Sequence, residues 1–191
     1  VVKEGSRDII NEAFRVLRTN LEFMTGKDKS SNVIIITSFN PGSGKSFLTM
    51  NIAVSLAIKE KKVLVIDGDL RHGSASSYID SPDKGLSDYL GGRIDSLDEI
   101  IVPDPKRKHL DILPVGTIPP NPTELLFNER LKLVIDTVRE QYDYVLIDCP
   151  PIEIVADTQI IEKLADRTIF VVRVGLLERS MLAELEKIYG E

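Results

Sequence analysis

The chain has 191 residues, enough for one α/β domain with a substantial core and too few for two ordinary domains. A hydrophobic content of 42%, a charged content of 28% and a net charge of −6 describe a globular protein and argue against a general nucleic-acid-binding surface. The single cysteine, Cys149, has no partner for an internal disulfide, so a reducing, cytosolic setting is expected, and no run of about 18 apolar residues is present to span a bilayer. No signal-peptide pattern opens the chain. It begins at Val1 rather than at Met, so a fragment of a longer protein is expected, with any membrane anchor elsewhere.

The first segment, about Ser6 to Met24, reads as a helix. Ile10, Ala13, Phe14, Leu17, Leu21 and Met24 recur at spacings of three and four and form one apolar stripe. Glu12, Arg15 and Arg18 fall on other faces, and by spacing alone they read as a solvated surface with an internal Glu12–Arg15 pair. Gly26 to Ser31 is a polar linker.

Val33-Ile34-Ile35-Ile36-Thr37 is apolar without alternation, as expected of a strand buried on both faces of a parallel sheet. Pro41-Gly42-Ser43-Gly44-Lys45-Ser46 follows, and Phe47 to Ala57 has helical periodicity. A strand, a glycine-rich turn and a helix in succession are the setting of a phosphate-binding P-loop. Glycines let backbone N–H groups curl around phosphate oxygens, and the helix N-terminus adds partial positive charge. Lys45 is placed to reach the β- and γ-phosphates and the Ser46 hydroxyl to bind Mg²⁺. The strict pattern G-x-x-x-x-G-K-[ST] fails at its first position, which is Phe39.

A charged turn, Lys59 to Lys62, leads to a second buried strand, Val63 to Ile66, which ends in Asp67-Gly68-Asp69-Leu70-Arg71. Carboxylates at i and i+2 on an extended segment share a side, and the carboxyl end of a parallel strand faces the ligand crevice. Solvated turn aspartates are the bland alternative.

Gly85 to Leu90 and Ser96 to Ile101 read as short helices, the second with a Ser96/Glu99 capping box. Pro103 to His109 is a loop, its Lys106-Arg107-Lys108 run a solvated surface, and Leu110 to Leu113 is a short strand. Asn121 and Pro122 take the N-cap and N1 positions of a helical region from Thr123 to Gln141, with a break near Phe127-Asn128.

Tyr142 to Asp148 is a third buried strand ending in an acid, the pattern of a Walker B carboxylate that holds the hydration shell of Mg²⁺. A helix from Asp157 to Ala165, a strand from Thr168 to Arg173 and a helix from Glu178 to Tyr189 complete the chain. Two readings fit Arg173: the carboxyl edge of the sheet, or a side chain snorkelling to solvent. Cys149, His72 and His109 lack metal-ligand spacing and read as structural. Alternating strands and helices imply a doubly wound, mostly parallel α/β sheet.

The P-loop, the segment Val63 to Arg71 and the segment Val145 to Pro151 together resemble the Walker A, A′ and B set of bacterial tyrosine kinases (BY-kinases). These are cytoplasmic domains of capsular and exopolysaccharide co-polymerase systems. Glu12-Ala13-Phe14-Arg15-Val16-Leu17-Arg18 is similar to the family's E-x-x-R-x-x-R helix, and Pro119 to Leu126 also looks like a family segment. The resemblance divides the chain into an oligomerisation helix over residues 1–25 and a single P-loop kinase domain over residues 26–191. The implied fold is that of the ParA/MinD-like P-loop NTPases. Those ATPases carry K-G-G-x-G-K-[ST], from which this chain departs at Asn40 and Pro41.

The resemblance further implies ATP and Mg²⁺ as cofactors. It implies nucleotide contacts along Asn40, Pro41, Gly42, Ser43, Gly44, Lys45, Ser46 and Phe47, and metal binding by Ser46, Asp67, Asp69 and Asp148. Catalytic roles fall to Lys45, Asp67 and Asp69, the division between the two acids being open. Glu12, Arg15 and Arg18 are implied to contact a neighbouring subunit in a ring. A membrane co-polymerase or activator segment, in the same or a partner chain, is the other implied partner, and nucleic acid is not one. The implied location is the cytoplasmic face of the bacterial inner membrane. The expected reaction is ATP-dependent autophosphorylation of a tyrosine-rich tail, in trans. The five tyrosines here are scattered, and the family continues with a further strand, helix and tail beyond Glu191. A P-loop ATPase switch in positioning or assembly, and a nucleotide-binding subunit without turnover, are the competing readings.

Overall fold

Runs of Val, Ile and Leu with few polar interruptions build the centre of the molecule. In the computed structural model, which describes residues 2–25, 32–152 and 157–189, they form one six-stranded sheet. Its strands are β1 (Asn32–Ser38), β2 (Val63–Asp67), β3 (Val102–Pro103), β4 (Leu110–Leu113), β5 (Tyr144–Asp148) and β6 (Arg167–Val171), in the spatial order β3-β4-β2-β5-β1-β6. Every pair is parallel except β3 with β4. The helices are α1 (Ile9–Thr25), α2 (Lys45–Ala57), α3 (Leu86–Leu90), α4 (Pro122–Leu126), α5 (Glu129–Arg139), α6 (Asp157–Glu162) and α7 (Arg179–Tyr189).

The sheet is doubly wound, as its sequence pattern predicts. Within each central strand the side chains alternate between two equally apolar faces, so no polar period survives. Val33, Ile35, Leu64, Ile66, Val145 and Ile147 pack against α3, α4, α5 and α6. Ile34, Ile36, Val63, Val65, Tyr144 and Leu146 pack against α1 and α2. Each fully buried Ile or Leu contributes about 2 kcal/mol of transfer free energy, and this core fixes the strand ends to which the polar residues attach.

Several local expectations need correction. No side-chain cap forms at Ser96, because Leu97–Glu99 is a single 3₁₀ turn rather than a helix with a full set of orphan N–H groups. Asn121 and Pro122 do hold the N-cap and N1 positions of α4, but the Asn121 amide donates to Glu124 Oε2 at 2.8 Å instead of capping the backbone. Asn128 is the side-chain cap in this region: its Oδ1 accepts from Arg130 N at 3.0 Å at the start of α5, and the break falls where expected. Pro103 lies in β3, paired with Asp111, rather than in a loop. Proline is tolerated there because β3 is an edge strand. The helix expected from Asp157 to Ala165 ends at Glu162, and the linker Gly26 to Ser31 lies outside the described residues.

Candidate active site

β1 and α2 are joined by residues 39–44, at the carboxyl end of the sheet. Phe39, where the strict motif has glycine, is buried and packs edge-on against Phe170 of β6 with ring centroids 5.9 Å apart. The Ser38 and Ser43 hydroxyls both donate to the Asn40 carbonyl, at 2.8 and 2.7 Å, and draw the loop into a tight curl. Gly42 and Gly44 have φ of +74° and +92°, and a Cβ at either would meet nothing within 4 Å. Their requirement is therefore the left-handed backbone, not lack of room. Gly44 caps α2 without a side chain, and the first turn of α2 holds no acid. The N–H groups of Ser43, Gly44, Lys45 and Ser46 find no protein acceptor among the described residues. Four unsatisfied donors curled at a helix N-terminus form a nest that fits phosphate.

Lys45 is half-buried; burial pulls its ammonium pKa down, opposed by the charges of Asp148 and Asp69. The Ser46 hydroxyl faces Asp148 closely enough to pull its pKa down against the effect of burial, and Thr49 Oγ1 of α2 lies 3.5 Å from Asp148 Oδ1, tying the P-loop helix to β5. Pro41 is exposed, and the Phe47 ring leans edge-on toward Phe14 of α1 at 6.4 Å, so only its backbone faces the loop.

Asp67 and Asp148 end β2 and β5 as register partners, and both are buried. Burial pushes Asp148 up to about 7; Asp67 and Asp69 push the same way, and Ser46 and Lys45 oppose. Burial also pushes Asp67 up to about 6, against the Ser76 hydroxyl and N–H, both 2.7 Å from its Oδ2. Asp69, also buried, accepts from Arg71 N and His72 N at 3.2 Å, and its N–H donates to Asp67 Oδ1 at 3.3 Å. His72 Nδ1 lies 3.1 Å from Asp69 Oδ2, so this histidine is less detached from the site than its spacing implied.

Among the described residues, no three His, Cys, Asp or Glu side chains converge as a metal cage. The donor set, a hydroxyl joined to a carboxylate beside a phosphate nest, fits Mg²⁺, which keeps most of its water and takes few protein ligands. Ser46 and Asp148 would hold it, with Asp67 and Asp69 facing its water shell.

Sequence reasoning missed three supports. Gly68 brings β2 against β5: its N–H donates to Asp148 O at 2.9 Å, and a Cβ there would lie 3.0 Å from Ile147 Cγ2 and 3.2 Å from Asp148 O. Ser76 orients Asp67 while its Oγ accepts from Val115 N at 2.9 Å. Arg71 Nε lies 3.3 Å from the buried Asp157 Oδ2, and Thr123 Oγ1 donates to Asp157 Oδ1 at 2.6 Å. The Asp-x-Asp-x-Arg and Pro-Asn-Pro-Thr segments hinted at the last contact; nothing local hinted at Gly68 or Ser76. Arg173 follows β6 and donates to Gly42 O at 2.9 Å, which decides for the carboxyl edge over snorkelling.

On α1, Glu12 and Arg15 pair at 2.6 Å on the exposed face, as spacing predicted. Arg18 turns inward, donating to Ser55 O and Oγ of α2 at 3.0 and 3.3 Å. A cavity of about 890 Å³ lies apart from these residues, between β6 and α7, lined by Thr168, Phe170, Leu182 and Leu185 among others.

A family model described as an AAA domain matches residues 31–185. The tyrosine-protein kinase YwqD of Bacillus subtilis is 37% identical over 95% of this chain and 76% of its own length. The chain belongs to the bacterial tyrosine kinase family. The putative tyrosine-protein kinase AmsA of Erwinia amylovora is 39% identical over 95% of the chain, and the chain spans about a quarter of the length of this and several similar relatives. The kinase domain of the Escherichia coli tyrosine kinase Etk superposes with a TM-score of 0.86 and 32% identity, covering 93% of this chain and 69% of that one. The septum site-determining protein MinD of Pyrococcus horikoshii, solved with Mg-ADP, has the same fold at a TM-score of 0.67 and 27% identity, covering 83% and 66%. The P-loop fold shared with the MinD-type ATPases is thus borne out.

Proposed function

We propose that this chain is the catalytic domain of an ATP-dependent protein-tyrosine autokinase acting in capsular or exopolysaccharide synthesis or export. One observation carries the reading: Asp67, beside the phosphate nest and opposite Asp148, is held near pKa 6, where a carboxylate works as a general base at neutral pH. ATP bound along residues 40–47 supplies the γ-phosphoryl group, and Ser46 and Asp148 would hold Mg²⁺, which would screen the phosphate charge. Lys45 neutralises charge developing on the transferred group. Asp67 takes the proton of the incoming tyrosine hydroxyl, whose oxygen bonds to the γ-phosphorus as the bond to ADP breaks. Asp69 holds the metal's water shell.

The acceptors are tyrosines of a tail on a neighbouring protomer, brought in by a ring whose contacts run through Glu12, Arg15 and α1. The kinase works beside a membrane co-polymerase segment at the cytoplasmic face of the inner membrane, and nucleic acid is not a partner. The likeness to MinD supports a second reading, an ATPase switch. Incubating the parent protein with γ-labelled ATP and Mg²⁺ separates them: label on tyrosine supports the kinase, and label released only as free phosphate supports the switch.

A further inference from the structure

β6 and the residues just after it grip the phosphate loop at two points. Phe170 packs on Phe39, and three residues further along each segment Arg173 Nη1 donates to the Gly42 carbonyl at 2.9 Å. That carbonyl belongs to the same peptide unit as the Ser43 N–H, one of the donors left without a protein acceptor. The Ser43 side chain cannot steer this peptide, since its hydroxyl is already committed to Asn40 O at 2.7 Å. Gly42, at φ +74°, has no side chain that would resist rotation of the unit. The turn through Pro41 and Gly42 sets the path of this peptide, and among the described residues Arg173 is the side chain that holds its carbonyl.

We infer that Arg173 is a positioning residue for the nucleotide: by holding the Gly42 carbonyl outward it turns the Ser43 N–H into the phosphate nest. A charged donor on the carbonyl also polarises the peptide, strengthening the N–H at its other end. Arg173 is solvent-exposed, so its bond contributes little to folding. Its effect is felt when an anion enters the nest. Arg173 donates to the loop without touching the reacting atoms. The inference rests on the nucleotide reading of the P-loop, but not on tyrosine being the acceptor.

The test is titration of the protein with a fluorescent ADP analogue in Mg²⁺, alongside ATP kinetics and thermal melting without nucleotide. Arg173→Ala should weaken binding about tenfold, the scale of one hydrogen bond to a charged group. The same variant should raise KM for ATP by a similar factor with kcat within about twofold, and leave the nucleotide-free Tm unchanged. Arg173→Lys, which keeps a charged donor, should recover most of the affinity. Unchanged affinity in Arg173→Ala would overturn the role. So would a loss shared equally by Arg173→Lys and accompanied by a lower Tm, which would mark a purely structural contact. Wild-type protein that bound no nucleotide would overturn the P-loop reading and this role with it, whereas normal binding without phosphotyrosine would leave the role standing and remove only the kinase.

Discussion

Asp67 and Asp148 stand opposite each other as register partners on neighbouring parallel strands, both buried, both with carboxyls raised above the usual range. Such a pair is costly in the empty protein and useful in the loaded one. Burial disfavours both charges, and the nearest cation, Lys45, is itself weakened by burial. A phosphate-bound Mg²⁺ supplies the missing positive charge. Stability has been exchanged for a site ready to accept it.

The first prediction is a pH dependence of stability. The folded values, about 6 for Asp67 and about 7 for Asp148, lie above the ordinary 3.8. The folded state therefore binds more protons than the unfolded chain across this interval, and unfolding free energy falls as pH rises. The contribution is fully present below about pH 4 and is lost as pH passes through about 6 and 7. Asp148→Asn should remove much of this slope and stabilise the nucleotide-free protein at pH 8 by about 2 kcal/mol. Urea unfolding at pH 5 and pH 8 measures it; MgADP should restore stability to the wild type at pH 8, and its binding should release protons near pH 6, where both acids are partly protonated.

Lys45→Met should lower phosphoryl transfer by at least about 10²-fold, the scale of losing one preorganised electrostatic contact. Lys45 is half-buried and faces two carboxylates, so the methionine stem refills its packing and the melting temperature should stay close to wild type. A transfer assay paired with circular dichroism checks both halves.

Gly68→Ala should cost about 1–3 kcal/mol through overpacking. Its Cβ would press on Ile147 and on the Asp148 carbonyl, moving β2 relative to β5. Activity should fall more than nucleotide affinity, because the displaced groups are the acids and not the nest. Comparing kcat with the ADP dissociation constant shows whether this holds.

The α1 residues should separate into two behaviours. Arg15→Glu costs the monomer about 1 kcal/mol or less, since it loses an exposed pair with Glu12 and a bond to Ser6 O, while shifting the oligomer toward monomer in sedimentation. Arg18→Ala should destabilise the monomer itself by about 1 kcal/mol, having lost its bonds to Ser55.

Phe39→Gly restores the strict motif and should be the worse protein for it. Losing a buried ring that packs on Phe170 costs about 3–5 kcal/mol. Thermal melting would show the loss directly.

The strands, the P-loop and the acids at the strand ends were legible because each is signalled by a run of adjacent residues: an apolar tetrad, a glycine turn, a terminal aspartate. The break at Asn128 and the proline at N1 of α4 were legible for the same reason. Gly68, Ser76 and the contact from Arg173 to Gly42 were not, since each acts through a partner brought near only by the sheet order. The Ser96 cap was over-read because the motif is local while the length of the helix it would cap is decided by packing. β3 was hidden by its proline, which only an edge position permits. Arg18 lay on the predicted helix, but spacing gave no sign that it would turn toward α2 rather than outward.

The most direct test of the central claim is single-turnover transfer to a tyrosine-bearing tail by the parent protein, with Asp67→Asn measured beside it. Asp67 as the base predicts phosphotyrosine in the wild type, and an Asp67→Asn variant that binds MgADP about as well as wild type but makes at least about 10²-fold less phosphotyrosine. Undiminished transfer by Asp67→Asn, or a wild type that yields only free phosphate, would contradict it.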